Sequence, residues 1–175
     1  YHKILHINSE NLESPERDRF VLSKGHGCAS LYAVLCEKGF FPKNELKIIK
    51  TPEGILGGHP EMQKVPGIEV STGSLGHGFP MAIGMAISAK LNKKNHRIIC
   101  LVGDGESNEG SIWESASIAA HFNLDNITVI IDYNKYQSTG SVVDILSPQK
   151  FTEKWDAFGW FTKEIDGHNF DEIYE

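Results

Sequence analysis

The stretch Arg97-Ile98-Ile99-Cys100-Leu101-Val102-Gly103-Asp104-Gly105 decides the fold of this chain. An almost uninterrupted apolar run bounded by glycine predicts a β-strand that is buried on both faces of a sheet. The run from Ile127 to Ile131 has the same character and is rich in β-branched residues. Between them, the Ala- and Ser-rich segment from Ser111 to His121 is typical of a helix. This order forms a βαβ unit and predicts an α/β fold, a parallel sheet flanked by helices on both faces.

Upstream of this unit the pattern predicts helices on either side of a long loop. Apolar residues at helical spacing predict a helix from Cys28 to Glu37, and a second helix, rich in small residues, from Phe79 to Leu91. A shorter helical pattern follows Pro42. Residues 51–78 are rich in Gly and Pro, which indicates a long ordered loop of the kind that often carries function. Residues 1–20 are polar and weakly patterned, and no element is predicted there.

Length and composition bound the possible classes of protein. The chain has 175 residues, of which 40% are hydrophobic, and this suits a single α/β domain with a sizeable core. Its net charge of −6 argues against nucleic-acid binding. No run of about eighteen apolar residues occurs, so we expect no membrane span. Because the sequence begins at Tyr1 rather than Met and runs on to Glu175, we expect the domain to be incomplete at both ends.

The cysteines indicate the compartment rather than the chemistry. Cys28, Cys36 and Cys100 are odd in number, and no pair has the CxxC spacing of a redox or zinc motif. Buried, reduced thiols in a cytoplasmic protein are the expectation that follows.

The two predicted strands end in a similar way. The first runs into Gly103-Asp104-Gly105 and the second into Asp132-Tyr133-Asn134. Parallel strands end at the same edge of a sheet, so Asp104 and Asn134 are expected to lie close together. A carboxylate and an amide oxygen suit Mg²⁺ or Ca²⁺. Gly105 allows backbone N–H groups to approach a phosphate near a helix N-terminus, although an ordinary turn after a strand is the alternative interpretation.

These residues lie in longer blocks that resemble a known family. Residues 103–110, which read Gly103-Asp104-Gly105-Glu106-Ser107-Asn108-Glu109-Gly110, and the later Asn134 resemble the thiamine-diphosphate motif of transketolases, which begins Gly-Asp-Gly and ends in Asn. The resemblance covers the chain from Asp18 to Glu172. Further transketolase-like blocks follow the family order: Asp18-Arg19-Phe20-Val21-Leu22-Ser23-Lys24-Gly25-His26, Gly58-His59-Pro60-Glu61, Glu69-Val70-Ser71-Thr72-Gly73-Ser74-Leu75-Gly76 and Asp156-Ala157-Phe158-Gly159-Trp160.

The resemblance implies the thiamine-diphosphate-binding fold, with residues 1–175 as a single diphosphate-binding domain of the PP type. It also implies a metal site. Asp104 and Asn134 match the Mg²⁺ ligands of the family, with the backbone carbonyl of Tyr136 as a third. The resemblance also implies that Gly105 and Asn134 bind the cofactor. Gly105 matches a backbone position that contacts the diphosphate.

Two histidines match catalytic positions of the family. His26 matches a histidine that contacts the diphosphate near the reacting centre, and His59 matches one that contacts hydroxyl groups of the sugar donor. Imidazole suits such positions because it donates hydrogen bonds and exchanges protons near neutral pH. The remaining cofactor-binding positions that the resemblance implies are Gly73 and Leu75, beside the aminopyrimidine ring, and Glu109, in a carboxylate network at the dimer interface.

The resemblance implies a thiamine-diphosphate- and Mg²⁺-dependent transketolase, as an N-terminal section or subunit. Such an enzyme transfers a two-carbon ketol unit from a ketose phosphate to an aldose. It would require a C-terminal pyrimidine-binding domain or a separate subunit, as a homodimer or a heterotetramer. The alternatives are another thiamine-diphosphate enzyme, such as a deoxyxylulose-phosphate synthase or an oxo-acid dehydrogenase E1 component, and a non-catalytic cofactor-binding module. His77 stands where transketolases usually carry Gln, so the identity of the donor and acceptor sugars is not predicted.

Overall fold

A parallel three-stranded sheet forms the centre of the fold in the computed structural model, which describes residues 1–10, 12–146 and 150–174. Strand β1 spans Arg19–Leu22, β2 spans Ile98–Gly103 and β3 spans Ile127–Asp132, in the order β1-β2-β3. The predicted parallel pairing of β2 with β3 is confirmed, and Gly103 pairs with Asp132 at its carboxyl end. All three strands therefore end at one edge of the sheet.

The helices follow the predicted positions closely. Helix α1 spans Cys28–Glu37, α2 spans Gly78–Leu91 and α3 spans Gly110–His121. The short helical pattern after Pro42 is a 3-10 helix over Lys43–Ile48. Residues 51–77 contain no helix or strand, as the predicted long loop requires. The smaller elements are 3-10 turns at Gly25–Gly27 and Glu106–Asn108, an antiparallel pair of strands β4 (Tyr136–Gln137) and β5 (Gly140–Ser141), and helices α4 (Val142–Leu146), α5 (Phe151–Ala157) and α6 (Phe170–Tyr174).

Helical and irregular segments cover both faces of the sheet, which confirms the predicted α/β architecture. Alternate residues of a strand point to opposite faces. On one face Ile98, Cys100 and Val102 are fully buried and pack with the apolar residues of α2 and α3. On the other face Ile99 and Leu101 pack against a second core built from α1 and the long loop. Truncating a buried residue such as Ile98 to Ala would cost about 2–5 kcal/mol.

Small side chains bring α2 close to the sheet. Ala82 and Ala86 are completely buried, so the helix backbone can approach β2 without intervening bulk. Phe79, in the first turn of this helix, is also fully buried and packs on Trp155 with 5.7 Å between the ring centroids. The alanine-rich pattern of α2 therefore reflects close packing rather than exposure.

Strand β1 begins in the polar segment, residues 1–20, for which no element was predicted, and continues to Leu22. Its position depends on Asp18, which is 2% exposed and precedes the strand. The Asp18 carboxylate accepts hydrogen bonds from the backbone N–H groups of His6 and Arg97 at 2.9 and 2.8 Å, and from the Arg97 side chain at 2.7 Å. From the local sequence alone, an aspartate in a polar segment is expected at the surface. The hydrogen bonds from His6 and Arg97 allow the Asp18 carboxylate to be buried instead.

The cysteine prediction is confirmed in its structural part. Cys28, Cys36 and Cys100 are buried and free, and burial raises the pKa of the Cys100 thiol, which therefore stays protonated. Within residues 1–10, 12–146 and 150–174, every helix is too short or too polar to cross a membrane.

Candidate functional site

Asp104 joins the ends of strands β2 and β3. It follows β2 directly and is 2% exposed. One carboxylate oxygen accepts the backbone N–H of Gly105 at 2.6 Å, and the other accepts the backbone N–H of Lys135 at 2.8 Å. The chain after β3 is thereby held beside the turn after β2. Each oxygen keeps a further lone pair that could bind a cation.

Asn134 and Tyr136 lie in the loop that Asp104 holds. The side-chain oxygen of Asn134 accepts the backbone N–H of Tyr136 at 2.9 Å, and both residues are exposed. Tyr136 opens strand β4. Among the described residues no group of three or more His, Cys, Asp and Glu side chains could hold a metal ion. A cation at this edge would therefore rely largely on neutral oxygens, as the predicted set of one carboxylate, one amide and one backbone carbonyl does.

Lys24 and Asp132 form an ion pair across the same edge. Lys24 follows β1, Asp132 ends β3, and the ammonium nitrogen lies 2.5 Å from a carboxylate oxygen. Lys24 is 8% exposed, so its charge is almost enclosed beside the predicted site. No role was predicted for this pair from the sequence. The available signal was a lysine next to the glycine–histidine block at the end of a strand.

Glu106 is a buried carboxylate behind the turn after β2. It is 2% exposed, and three groups donate hydrogen bonds to it. One oxygen accepts the Ser23 hydroxyl at 2.5 Å and the backbone N–H of Gly76 at 2.9 Å. The other oxygen accepts the backbone N–H of Gly103 at 3.0 Å. Glu106 lies inside the motif that the sequence singled out, but only the fold reveals its partners.

The loops that carry His26 and His59 meet at Gly25 and Gly73. A Cβ built on Gly25 would lie 2.8 Å from the backbone nitrogen of Gly73, a distance that real Cβ atoms do not adopt. A Cβ built on Gly73 would lie 3.2 Å from the His59 ring. Close packing therefore requires glycine at position 25, whereas a Cβ at position 73 would require the His59 ring to move slightly. His26 and His59 are exposed on the loops thus joined, at the edge where β1 ends.

A second set of contacts places the loop of residues 73–76, which includes the half-buried Leu75, against the start of α3. Gly76 has a φ of 75°, a conformation that favours glycine. Its carbonyl accepts the Ser111 hydroxyl at 2.7 Å, and a Cβ on it would lie 2.7 Å from the Cβ of Glu109. Glu109 is exposed immediately before α3. Gly73, Leu75 and Glu109 thus belong to one packed unit.

The surroundings of Gly105 fit an anionic group. A Cβ built on Gly105 would lie 2.8 Å from the side chain of Gln137, so this glycine is required by packing as well as by the predicted approach to phosphate. The amide nitrogen of Gln137 is buried and has no hydrogen-bond partner in the described part of the chain. Leaving a buried donor unpaired costs about 1–3 kcal/mol. An acceptor atom of a bound cofactor that reached this nitrogen would satisfy it, and no sequence signal marked Gln137 for a role.

Comparison with known proteins shows which family the chain belongs to. Residues 1–175 match the family model described as transketolase, thiamine diphosphate binding domain. The chain is 44% identical over 173 residues to the 6-deoxy-6-sulfo-D-fructose transketolase subunit SqwG of Clostridium sp. (strain MSTE9), covering 99% of this chain and 63% of that protein. It is 41% identical over 175 residues to an apulose-4-phosphate transketolase subunit of Actinobacillus succinogenes, covering 100% and 63%.

A solved structure gives the same result for the fold. The transketolase from Campylobacter jejuni superposes with a TM-score of 0.92 at 34% identity, over 97% of this chain and 28% of that one. The chain thus spans 63% of the length of the two relatives above and about a quarter of the longer transketolase. The family match covers every residue of the chain and confirms the resemblance drawn from its motifs. The chain belongs to the transketolase family and corresponds to its thiamine-diphosphate-binding domain.

Proposed function

We propose that this chain supplies the diphosphate- and metal-binding part of an enzyme that transfers a two-carbon ketol unit from a ketose phosphate to an aldose acceptor. The observation that carries the proposal is the convergence at one sheet edge. There the loops of His26, His59 and Gly73 meet, and Asp104 holds the chain after β3 beside Gly105. Ligands of open α/β sheets bind at this edge.

In this proposal Asp104, the Asn134 amide oxygen and the Tyr136 carbonyl hold Mg²⁺, or Ca²⁺ in its place. The two side chains offer hard oxygens, which both ions prefer. The two hydrogen bonds that Asp104 accepts orient its carboxylate, and the turn at Asn134 orients the amide. The ion would neutralise the diphosphate charge and fix its position.

The remaining residues bind and orient the cofactor and the donor sugar. Thiamine diphosphate, when bound, supplies a carbanion at C2 of its thiazolium ring and an electron sink. We propose that the diphosphate lies against the backbone at Gly105, that the unpartnered amide nitrogen of Gln137 donates to it, and that His26 donates a hydrogen bond near the reacting centre. His59, on the neighbouring loop, would bind hydroxyl groups of the donor. The remaining proposed cofactor contacts are the backbone of Gly73 and Leu75 and the Glu109 carboxylate at the interface.

The complete enzyme would need a second domain or chain. Two of the relatives are named as subunits, which supports a separate partner that carries the pyrimidine-binding part. Such an assembly would be a homodimer or a heterotetramer, with the cofactor between the two parts. The buried, free cysteines fit a reducing cytoplasm.

The test is a ketol-transfer assay on the complete protein with its partner. Thiamine diphosphate and Mg²⁺ are each added and omitted, and the aldose acceptor is varied. The names of the relatives suggest 6-deoxy-6-sulfo-D-fructose and apulose 4-phosphate as donors, and a solved transketolase complex with fructose 6-phosphate adds a third. We expect turnover of at least one donor that needs both cofactor and metal. Decarboxylation of an oxo acid without ketol transfer would favour the E1 alternative, and cofactor binding without any turnover would favour a non-catalytic module.

A further inference from the structure

The Glu106 carboxylate connects three segments that are far apart in sequence. Its donors are the Ser23 hydroxyl at the end of β1, the Gly76 N–H in the 73–76 loop and the Gly103 N–H at the end of β2. Ser23 continues the network, because its hydroxyl oxygen accepts the backbone N–H of Phe79 in the first turn of α2 at 3.1 Å. The side chain is 2% exposed, so water cannot replace these donors.

We propose that Glu106 is a positioning residue, which sets the spacing between the 73–76 loop and the turn that carries Asp104 and Gly105. This inference rests on the proposed function, because those two segments are the proposed supports of the cofactor's ring and diphosphate ends. Glu106 itself is enclosed behind them and would act only through its hydrogen bonds.

A carboxylate suits this position because all the groups that bond to it are hydrogen-bond donors. All three donors are N–H or O–H groups, and an ionised carboxylate offers acceptor sites on both oxygens and no donor. Hydrogen bonds to an ionised acceptor are shorter and stronger than neutral ones. A glutamine of the same shape would keep one acceptor oxygen but direct an N–H₂ group at a backbone or hydroxyl donor. Glu106→Gln therefore leaves at least one buried donor unpaired without removing side-chain volume.

Hydrogen bonds from residues at both ends of the 73–76 loop hold it in place. The Gly76 N–H donates to Glu106, and the Gly76 carbonyl is held by Ser111. Thr72, just before the loop, is tied to the end of β1 through its hydroxyl, which donates to the Leu22 carbonyl at 2.8 Å. Without the Glu106 bond, the 73–76 loop would lose this hydrogen-bonded link to the turn after β2, so the loop is expected to shift relative to Gly105.

The experiment uses the complete protein assembled with its partner and compares Glu106→Gln, Ser23→Ala and the control Asp18→Asn. Asp18 is a matched control because it is also 2% exposed, also accepts three hydrogen bonds and lies at the opposite end of β1. Three quantities are measured: the Kd for thiamine diphosphate with Mg²⁺ by calorimetry, the melting temperature without cofactor, and amide hydrogen exchange at residues 73–79 and 103–105 without cofactor.

We expect Glu106→Gln to raise the cofactor Kd about tenfold or more and to speed exchange at Gly76 and Gly103. Ser23→Ala removes one donor to Glu106 and also the acceptor of the Phe79 N–H. It should change the Kd in the same direction by a smaller factor, which keeps the test open should Glu106→Gln fail to fold. Asp18→Asn should lower the melting temperature while the cofactor Kd stays within about twofold.

The inference is overturned if the Kd changes of Glu106→Gln and Asp18→Asn simply follow their losses in melting temperature, because Glu106 is then only a core residue. Unchanged exchange at Gly76 and Gly103 in Glu106→Gln would also overturn it. If the unmodified protein fails to bind thiamine diphosphate, the proposed function fails, whereas the exchange measurement still decides whether Glu106 holds the loop.

Discussion

The carboxylate of Asp104 accepts a hydrogen bond from the backbone N–H of Lys135 at 2.8 Å, although 31 positions separate the two residues. Lys135 has a φ of 68°, a left-handed conformation that costs a non-glycine residue about 1–2 kcal/mol. The bond to Asp104 and the turn at Asn134 hold the chain in this conformation. Asp104 thus both shapes the loop after β3 and offers the charged ligand of the proposed metal site.

The first prediction separates these two roles of Asp104. Asp104→Asn keeps one oxygen that can accept the Lys135 N–H, but its amide then faces the Gly105 N–H and its charge is removed. We therefore expect a modest loss of stability and a loss of Mg²⁺-dependent binding of thiamine diphosphate. Calorimetry on the complete protein, with and without Mg²⁺, measures this. The control is Asp125→Asn, because Asp125 is exposed and pairs only with Lys90 at 3.3 Å among the described contacts. Unchanged cofactor affinity in Asp104→Asn would exclude it as the metal ligand.

The second prediction concerns His59. In the complete enzyme, His59→Ala should raise KM for the ketose donor by about two- to tenfold, the value of one ordinary hydrogen bond, with cofactor affinity nearly intact. Steady-state kinetics and calorimetry measure the two quantities. His168→Ala is the control, because His168 lies in an exposed turn near α6. Normal donor kinetics in His59→Ala would leave His59 with a structural role against Gly73 alone.

The third prediction compares the effects of two glycine-to-alanine substitutions on the unfolding free energy. Gly25→Ala places a Cβ against the backbone of Gly73, which cannot yield as a side chain would, so we expect a loss of about 1–3 kcal/mol in unfolding free energy. Gly84→Ala is the opposite case, since Gly84 lies in α2 with nothing within 4 Å of the added Cβ. It should gain about 0.5–1 kcal/mol. Denaturant unfolding of the complete protein measures both, and equal effects would contradict the packing at Gly25.

The fourth prediction concerns acid stability. Burial opposes ionisation of Asp18, but hydrogen bonds from the Arg97 side chain and from the His6 and Arg97 N–H groups outweigh it, and the pKa of Asp18 is lowered. A carboxylate whose pKa is lower in the folded state contributes stability above its unfolded pKa, which is about 4, and loses it as pH falls through the folded value.

The unfolding free energy should therefore drop below about pH 4, and Asp18→Asn should flatten that part of the profile. Denaturant titrations of the complete protein between about pH 2 and pH 6 test this. Glu153→Gln is the control, since Glu153 is exposed and its ion pair with Lys150 is of the kind that contributes little. If the unfolding free energy of Asp18→Asn falls with the same slope at low pH as that of the unmodified protein, other carboxylates cause the fall.

The last prediction is that this chain alone lacks ketol-transfer activity and binds the cofactor weakly. Under the proposed function, the cluster around Asp104, His26 and the 73–76 loop would support the diphosphate end and one side of the ring, and a pyrimidine-binding partner would hold the rest of the cofactor. Adding the pyrimidine-binding partner should restore activity in a manner that depends on partner concentration. A coupled assay on the purified chain measures this, and full turnover without a partner would contradict it.

Much of the fold could be predicted from the sequence because its signals are local. The apolar run that ends at Gly103 and the β-branched run from Ile127 predicted neighbouring parallel strands, and the register confirms the pairing. The apolar spacing of α1 predicted that helix with its observed bounds. The blocks around Asp104 and His59 were sufficient to identify the family.

What the tertiary structure decided depends on partners that are distant along the chain. Strand β1 pairs with β2 along its whole length, and Arg97 donates to the buried Asp18 just before it, so its position depends on residues about 80 places along the chain. Glu106 is an ordinary motif glutamate in the sequence, yet folding places Ser23 and Gly76 against it, 83 and 30 positions away. The spacing of apolar residues along the sequence predicts only which face of a helix or strand a residue occupies. Which polar groups share a buried volume is set by the packing of whole elements, because a buried charge is tolerated only where the fold supplies its donors.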